Sequence, residues 1–273
     1  SSMNLMKAES PGPSVSKLVP HVKDTAKILY GIYIAITICE ATILRALGMP
    51  LFDSLTTTFG TVGTGGFGIK NDSIASYSPA IQITITVFMI LSGRYQRTSS
   101  ILTGKLKDFF KIEEVRWYLA IILGSVCIIT WNIRSFYPTL GDTVRHAFFQ
   151  VGSIITTTGY ATTDFDLWPA LSKTLLVTLM FIGACAGSTS GGIKVSRILI
   201  LLKTIRKELS LIIHPRQVKK IRMDGHPVDH ETLRSANVFL VVYFVLLLTS
   251  MLLISVDEFD FTTNFTSVVT VLN

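Results

Sequence analysis

The stretch from Ala236 to Val256 holds no charged residue, and it restricts the possible folds of this chain more than any other feature. A helix needs about 20 consecutive apolar residues to cross a bilayer. Inside hydrocarbon every backbone N–H and C=O must find a partner in the chain, so such a run is helical. Comparable runs extend from Ile28 to Leu47 and from Trp117 to Ile133, the second with Trp117, Tyr118 and Trp131 near its ends, where aromatic belts form. Shorter apolar runs cover 79–92, opening on Pro79 at a helix start, and 170–182. Only 16% of the 273 residues are charged and 49% are hydrophobic, against about 25% charged in soluble domains. Glu40 lies inside the first run. A carboxylate is costly in lipid, so it is expected to face protein or a water-filled cavity.

The net charge of +7 is unevenly placed. Segments 1–27, 93–116 and 203–234 carry most of the lysines and arginines, whereas 67–78, 134–142 and 257–262 carry few. Basic residues bordering apolar runs follow the positive-inside pattern, which puts the first set of segments in the cytoplasm and discards nucleic-acid binding. Cys39, Cys127 and Cys185 sit in apolar stretches without CxxC spacing and read as small buried hydrophobes. There is no Ser/His/Asp, HExxH or paired-carboxylate arrangement, and His146, His214, His226 and His230 fit ordinary surface or cap roles. The chain is not expected to be an enzyme or to carry a cofactor.

Two short segments of small residues lie between the apolar runs: Thr61-Val-Gly-Thr-Gly-Gly-Phe67 and Thr156-Thr-Thr-Gly-Tyr-Ala-Thr162. Each follows a short helical run, 52–60 with Asp53 or Ser54 as cap and 142–153 opening on Asp142. The order of spanning helix, short helix, Gly/Thr loop and spanning helix therefore occurs twice, and a third copy opens at 236 with a short helix expected over 262–272. Setting Gly63–Gly66 against Thr157–Tyr160 places Gly65 on Gly159. Such loops suit a dehydrated cation, because backbone carbonyls can replace its water shell and glycine permits the backbone conformations required. The short helices would point their partly negative C-terminal ends at the ion. The candidate filter residues are Gly63, Thr64, Gly65, Gly66, Thr157, Thr158, Gly159 and Tyr160. Asp164 and Asp166, beyond the second loop, would concentrate cations at the mouth. The plainer alternative for either loop is a turn between two helices.

Between the apolar run 170–182 and Lys194 lies Gly183-Ala-Cys-Ala-Gly-Ser-Thr-Ser-Gly-Gly192, a composition that does not sustain a helix. Close helix packing through small residues is one reading. The other is a barrier of irregular backbone lining a cavity, formed by Gly183, Ala184, Gly187, Ser188, Thr189, Ser190, Gly191, Gly192 and Lys194. The Lys194 ammonium would then either repel cations or snorkel to the inner surface. Residues 221–228 read as a small hairpin in a basic loop.

On Ala8-Glu-Ser-Pro-Gly-Pro13, Gly48-Met49, the two Gly/Thr loops and Gly187-Ser-Thr-Ser-Gly-Gly-Ile-Lys194, the chain resembles the Trk/Ktr/HKT superfamily of potassium transporters, above all its bacterial TrkH/TrkG- or KtrB-type membrane subunits. The resemblance covers most of residues 5–273. It implies an all-α integral membrane protein of repeated helix–P-loop–helix units, incomplete relative to the four-repeat pore fold. The implied parts are a cytoplasmic segment 1–27, a second-repeat unit 28–103 and a third-repeat unit 104–202 with an interrupted inner helix at 183–193. A basic cytoplasmic loop 203–234 and the start of a last repeat at 235–273 follow. The resemblance also implies K+ as the transported ion, Gly65 and Gly159 as central to its selection, and segment 183–193 as an intramembrane gate. It further implies homodimers in the membrane lipid of a bacterial cell, with a cytoplasmic ring of nucleotide-binding (ATP/ADP or NAD) regulatory subunits docked on loops 93–116 and 203–234. The chain departs from the pattern in its polar segment 93–100, in having no first repeat and in stopping before a fourth filter. It is therefore expected to be part of a longer transporter or a truncated product. A non-conducting regulatory subunit and a sodium or mixed Na+/K+ transporter remain as alternatives.

Overall fold

The computed structural model describes residues 22–93, 112–215, 217 and 220–273. The Ala8–Pro13 motif, most of the N-terminal segment, the polar stretch from 94 to 100 and most of the charged connector up to 111 lie outside the described residues. The order of elements is α1 (Val22–Ala46), α2 (Leu51–Val62), α3 (Pro79–Ser92), α4 (Glu113–Asn132), α5 (Leu140–Ile155), α6 (Ala170–Ile182), α7 (Val195–Ile213), a two-stranded hairpin of β1 (Arg222–Met223) and β2 (His226–Pro227), α8 (His230–Ile254) and α9 (Phe261–Leu272). Single 3-10 turns cover Phe165–Leu167 and Ser255–Asp257. Among the described residues three helical stretches are long and apolar enough to span a bilayer: Leu29–Ala46, Glu113–Asn132 and His230–Asp257.

Local chemistry explains the boundaries. α3 starts as expected, with Ser78 as cap and Pro79 in the first turn, where proline's missing N–H costs nothing. α5 begins earlier than Asp142: Thr139 is the cap, its hydroxyl accepting from the Asp142 N–H at 3.0 Å. α2 likewise begins at Leu51 after Pro50, so neither Asp53 nor Ser54 caps it. Instead Asp53 accepts from the Tyr77 hydroxyl at 2.7 Å, and burial together with that carboxylate pushes the Tyr77 phenol well above its ordinary pKa, so it remains a donor. α7 runs past residue 203, the expected start of the basic loop, as far as Ile213.

The interior is divided among several apolar clusters. The largest joins α4, α5 and α6 through Tyr118, Ile122, Ile129, Val151, Leu176 and Leu179, and reaches Ala184 and Cys185 of the interrupted segment. A second joins Leu44, Met49, Ile85 and Met89 to Phe149 and Tyr160, which locks α1 and α3 to the second Gly/Thr loop. A third packs α8 and α9 on Ile193, and a fourth holds the hairpin residues Ile221, Met223 and Val228 against Ile200 and Ala236. α8 buries little beyond Ala236, Tyr243 and Leu247, while Val241, Val245, Leu248 and Leu252 are exposed. In water that surface would be a liability; a helix this long and apolar suits a bilayer. Glu40 is fully buried beside Thr61, so the acid inside α1 faces protein, as anticipated.

Candidate functional site

α2 and α5 each end in the same backbone turn. In the first loop the N–H of Gly63 bonds to Phe59, that of Thr64 to Thr61, and those of Gly65 and Gly66 both to Gly60. In the second, Thr156 bonds to Gly152, Thr157 to Ile154, and Thr158 and Gly159 both to Ser153. This pattern sets the register. Gly63 matches Thr156, Thr64 matches Thr157, Gly65 matches Thr158, Gly66 matches Gly159, and Phe67 matches Tyr160. The alignment of Gly65 with Gly159 is therefore one residue out. Glycine identity alone does not set the register, because the hydrogen bonds follow the position that needs positive φ. Gly66 (φ 65°) and Gly159 (φ 88°) have it, and Gly65 does not.

Threonine also occupies strained backbone. Thr64 and Thr157 lie at φ 52° and 53°, a region in which a β-branched residue is an outlier. Strain of this kind persists where the surroundings enforce it, commonly at functional sites. Here the surroundings are the interrupted segment. The Thr189 hydroxyl lies 3.2 Å from that of Thr64 and 3.4 Å from the Val62 carbonyl, while the Gly191 N–H donates to the Thr157 hydroxyl at 2.9 Å. The same position of both loops therefore touches segment 183–194.

That segment is irregular from Gly183 to Lys194. Gly183, Gly187 and Gly192 take positive φ, and so does Lys194 at 75°. Its backbone is held from several sides. Cys185 N–H donates to Gly93 O at 3.1 Å, Ala186 N–H to the Glu114 carboxylate at 2.7 Å, Ile193 N–H to Phe181 O at 3.2 Å, and Val195 N–H to Ala184 O at 3.0 Å. The Lys194 ammonium turns back into the segment, donating to the Ser188 carbonyl at 3.3 Å and hydroxyl at 3.2 Å and to the Ser190 carbonyl. It is buried, so of the two roles open to it, snorkelling to the surface is the one the structure does not take.

Asp164 and Asp166 are exposed beyond the second loop. Asp164 caps the 3-10 turn by accepting from Asp166 N–H at 3.0 Å, and Lys173 lies 3.2 Å from the Asp166 carboxylate, which offsets part of its charge. Sequence reasoning missed three contributors: Ser153, Thr156 and Glu114. Ser153 braces the second loop from α5, donating to Tyr160 O at 2.6 Å; the Thr156 and Thr158 hydroxyls pair at 2.8 Å; and Glu114 holds the interrupted segment. A pair of acids at the start of a helix looks like ordinary dipole compensation, which hid Glu114.

The chain spans a little over half the length of the relatives it matches. A family described as "TrkH: Cation transport protein" matches residues 1–95 and 107–273. The Trk system potassium uptake protein TrkH of Salmonella typhimurium is 37% identical over 99% of this chain and 57% of its own length. The Trk system potassium uptake protein TrkG of Escherichia coli is 31% identical over 98% of the chain and 56% of its own. The crystal structure of the potassium transporter TrkH from Vibrio parahaemolyticus superposes with a TM-score of 0.86 at 30% identity, covering 94% of this chain and 56% of that one. Together with its long apolar helices, these matches make the chain a multi-pass, all-α membrane protein that belongs to the TrkH family of cation transport proteins.

Proposed function

We propose that this protein conducts potassium across the bacterial cell membrane. Its pore would be walled in part by two P-loops, Gly63–Phe67 and Thr156–Tyr160, each inside a helix–P-loop–helix unit, with segment 183–194 as a barrier beneath them. The observation that carries this reading is the paired contact of equivalent threonines, Thr64 and Thr157, with Thr189 and Gly191. A segment that bonds to matching positions of two separate loops lies across the space they share. α2 and α5 end at these loops, so their partly negative C-termini favour a cation there. The loop carbonyls replace its hydration shell. The Lys194 ammonium, held among the Ser188 and Ser190 carbonyls, adds a positive charge to the barrier and opposes cation passage while the segment stays in place. Asp164 and Asp166 raise the local cation concentration at the outer mouth.

The relatives named for potassium uptake and the glycines at both matched positions, Gly66 and Gly159, favour potassium over sodium. The basic inner surface formed by Lys203, Arg206, Lys207, Lys220 and Arg222 suits a cytoplasmic regulatory ring of nucleotide-binding subunits, and the protein works as a homodimer. The test is cation flux in liposomes bearing the full-length protein. Potassium and rubidium should pass and sodium should be excluded. Equal sodium flux would overturn the selectivity, and no flux of any of the three would favour a non-conducting subunit.

A further inference from the structure

We infer that Glu114 is the latch holding the interrupted segment closed, and that the hairpin at 222–227 is its handle on the inner face. The inference rests on the reading of 183–194 as a barrier, and the experiment below separates the two.

Glu114 is 1% exposed, and its Oε1 accepts from the Ala186 N–H at 2.7 Å. Segment 183–194 has no helical ladder, so its buried N–H groups depend on acceptors elsewhere. A carboxylate is the strongest available. The bond falls between a pinned point, the Ala184 carbonyl bonded to Val195 N–H, and a flexible one, Gly187 at φ 73°. Losing it would release the Cys185–Gly187 stretch from α4 while Thr189 and Gly191 stay bonded to the loops.

One residue earlier the same helical turn faces the other way. The Glu113 N–H donates to the Asp224 carboxylate at 2.7 Å, and the Glu113 carboxylate pairs with Lys203 of α7 at 2.6 Å. Lys203 also donates to the Arg222 carbonyl at 2.8 Å. Asp224 and Gly225 form the tip of the hairpin, both with positive φ. The first turn of α4 is thus a bracket, with hairpin and α7 on one side and the interrupted segment on the other. A force that shifts the hairpin moves Glu113, and Glu114 must move with it. Glu114 is a positioning residue: it acts on the barrier, and through the barrier on the ion.

Cys185 reports the state of this latch. It is fully buried and adjacent to Ala186, whereas Cys39 and Cys127 are exposed on the flanks of α1 and α4. The measurement is the rate at which a charged methanethiosulfonate modifies Cys185 in the full-length protein in liposomes, with Cys39 and Cys127 replaced by serine, alongside rubidium flux. Glu114→Ala should speed modification by about tenfold or more, the scale of one charge-assisted hydrogen bond. Glu114→Gln, which keeps an oxygen acceptor, should return most of the protection. Asp224→Ala, an exposed substitution at the hairpin tip, should produce a smaller increase. A cysteine introduced by Ala147→Cys, buried in α5, reports general loosening. Modification there that rises in step with Cys185 overturns the latch, as does a Cys185 rate in Glu114→Ala equal to wild type. If Glu114→Ala does not fold, an unchanged Cys185 rate in Asp224→Ala overturns the link to the hairpin. Faster modification with unchanged flux upholds the latch and defeats the reading of 183–194 as the barrier.

Discussion

The two Gly/Thr loops make the same turn by different means. The second is braced by side chains. Ser153 holds the Tyr160 carbonyl, Thr156 pairs with Thr158, and the Tyr160 ring is 1% exposed with its hydroxyl donating to Thr57 O at 3.1 Å. The first has glycine where the second has Thr156 and Thr158, and its Phe67, the counterpart of Tyr160, is 86% exposed. It keeps its shape by leaning on its neighbour: a Cβ on Gly66 would run into the Thr158 carbonyl of the second loop, and one on Gly60 would meet the Tyr160 hydroxyl. Among the described residues, a Cβ at Gly159 would meet nothing within 4 Å. One loop is thus rigid by its own hydroxyls and the other by close approach, and the two glycines at the matched position carry different constraints.

The sharpest way to break this asymmetry is Gly66→Ala. The added methyl meets backbone that cannot rotate away, at a residue with positive φ. Overpacking of this kind costs about 1–3 kcal/mol, and here the relief is displacement of one loop against the other. Rubidium flux in liposomes should fall by about tenfold or more while the protein remains monodisperse in detergent. Near-normal flux would mean that the loops do not share a pore. Gly159→Ser is the contrasting case. A Cβ there has room among the described residues, so the main effect is placing serine at φ 88°, a strain of about 1–3 kcal/mol. Flux should persist, but the preference for potassium over sodium should drop several-fold. An unaltered ratio would remove Gly159 from the selecting surface.

Thr64→Ala and Thr157→Ala test the shared contact beneath the loops. Each removes one hydroxyl bridge to the interrupted segment, worth about 1 kcal/mol, and basal flux should rise modestly, about equally in both. A rise in only one would show that the segment is held by a single loop.

The apolar helices were legible because hydrocarbon imposes them: even the short α3 and α6 fall on the boundaries 79–92 and 170–182 read from apolar patterning and Pro79. The break at 183 was legible from composition. The register of the loops was not. A side-by-side reading of glycines has no access to which residue takes positive φ, and threonine at 64 and 157 is a poor candidate on intrinsic grounds, held there by the turn's own bonds together with tertiary contacts. Glu114 was illegible for the same reason. Its role depends on a partner 72 positions away, and its neighbour Glu113 has an equally good local excuse at a helix start. Spanning structure is thus written locally, whereas the chemistry of the loops and of the segment beneath them is written in long-range pairs.

The smallest expected effect is that of Tyr160→Phe, and it is informative because it is small. The ring packs with Leu44, Met49 and Phe149, and phenylalanine keeps that packing. Only the hydrogen bond to the Thr57 carbonyl is lost, about 1 kcal/mol. If Tyr160 serves as an anchor for an already braced loop, Ser153 and the Thr156–Thr158 pair should hold the backbone without it. The thermal midpoint should then fall by a few degrees with the potassium-to-sodium ratio unchanged. A marked loss of selectivity would show that the second loop leans on α2 as much as the first leans on the second, and that the rigidity contrasted above belongs to the pair of loops together.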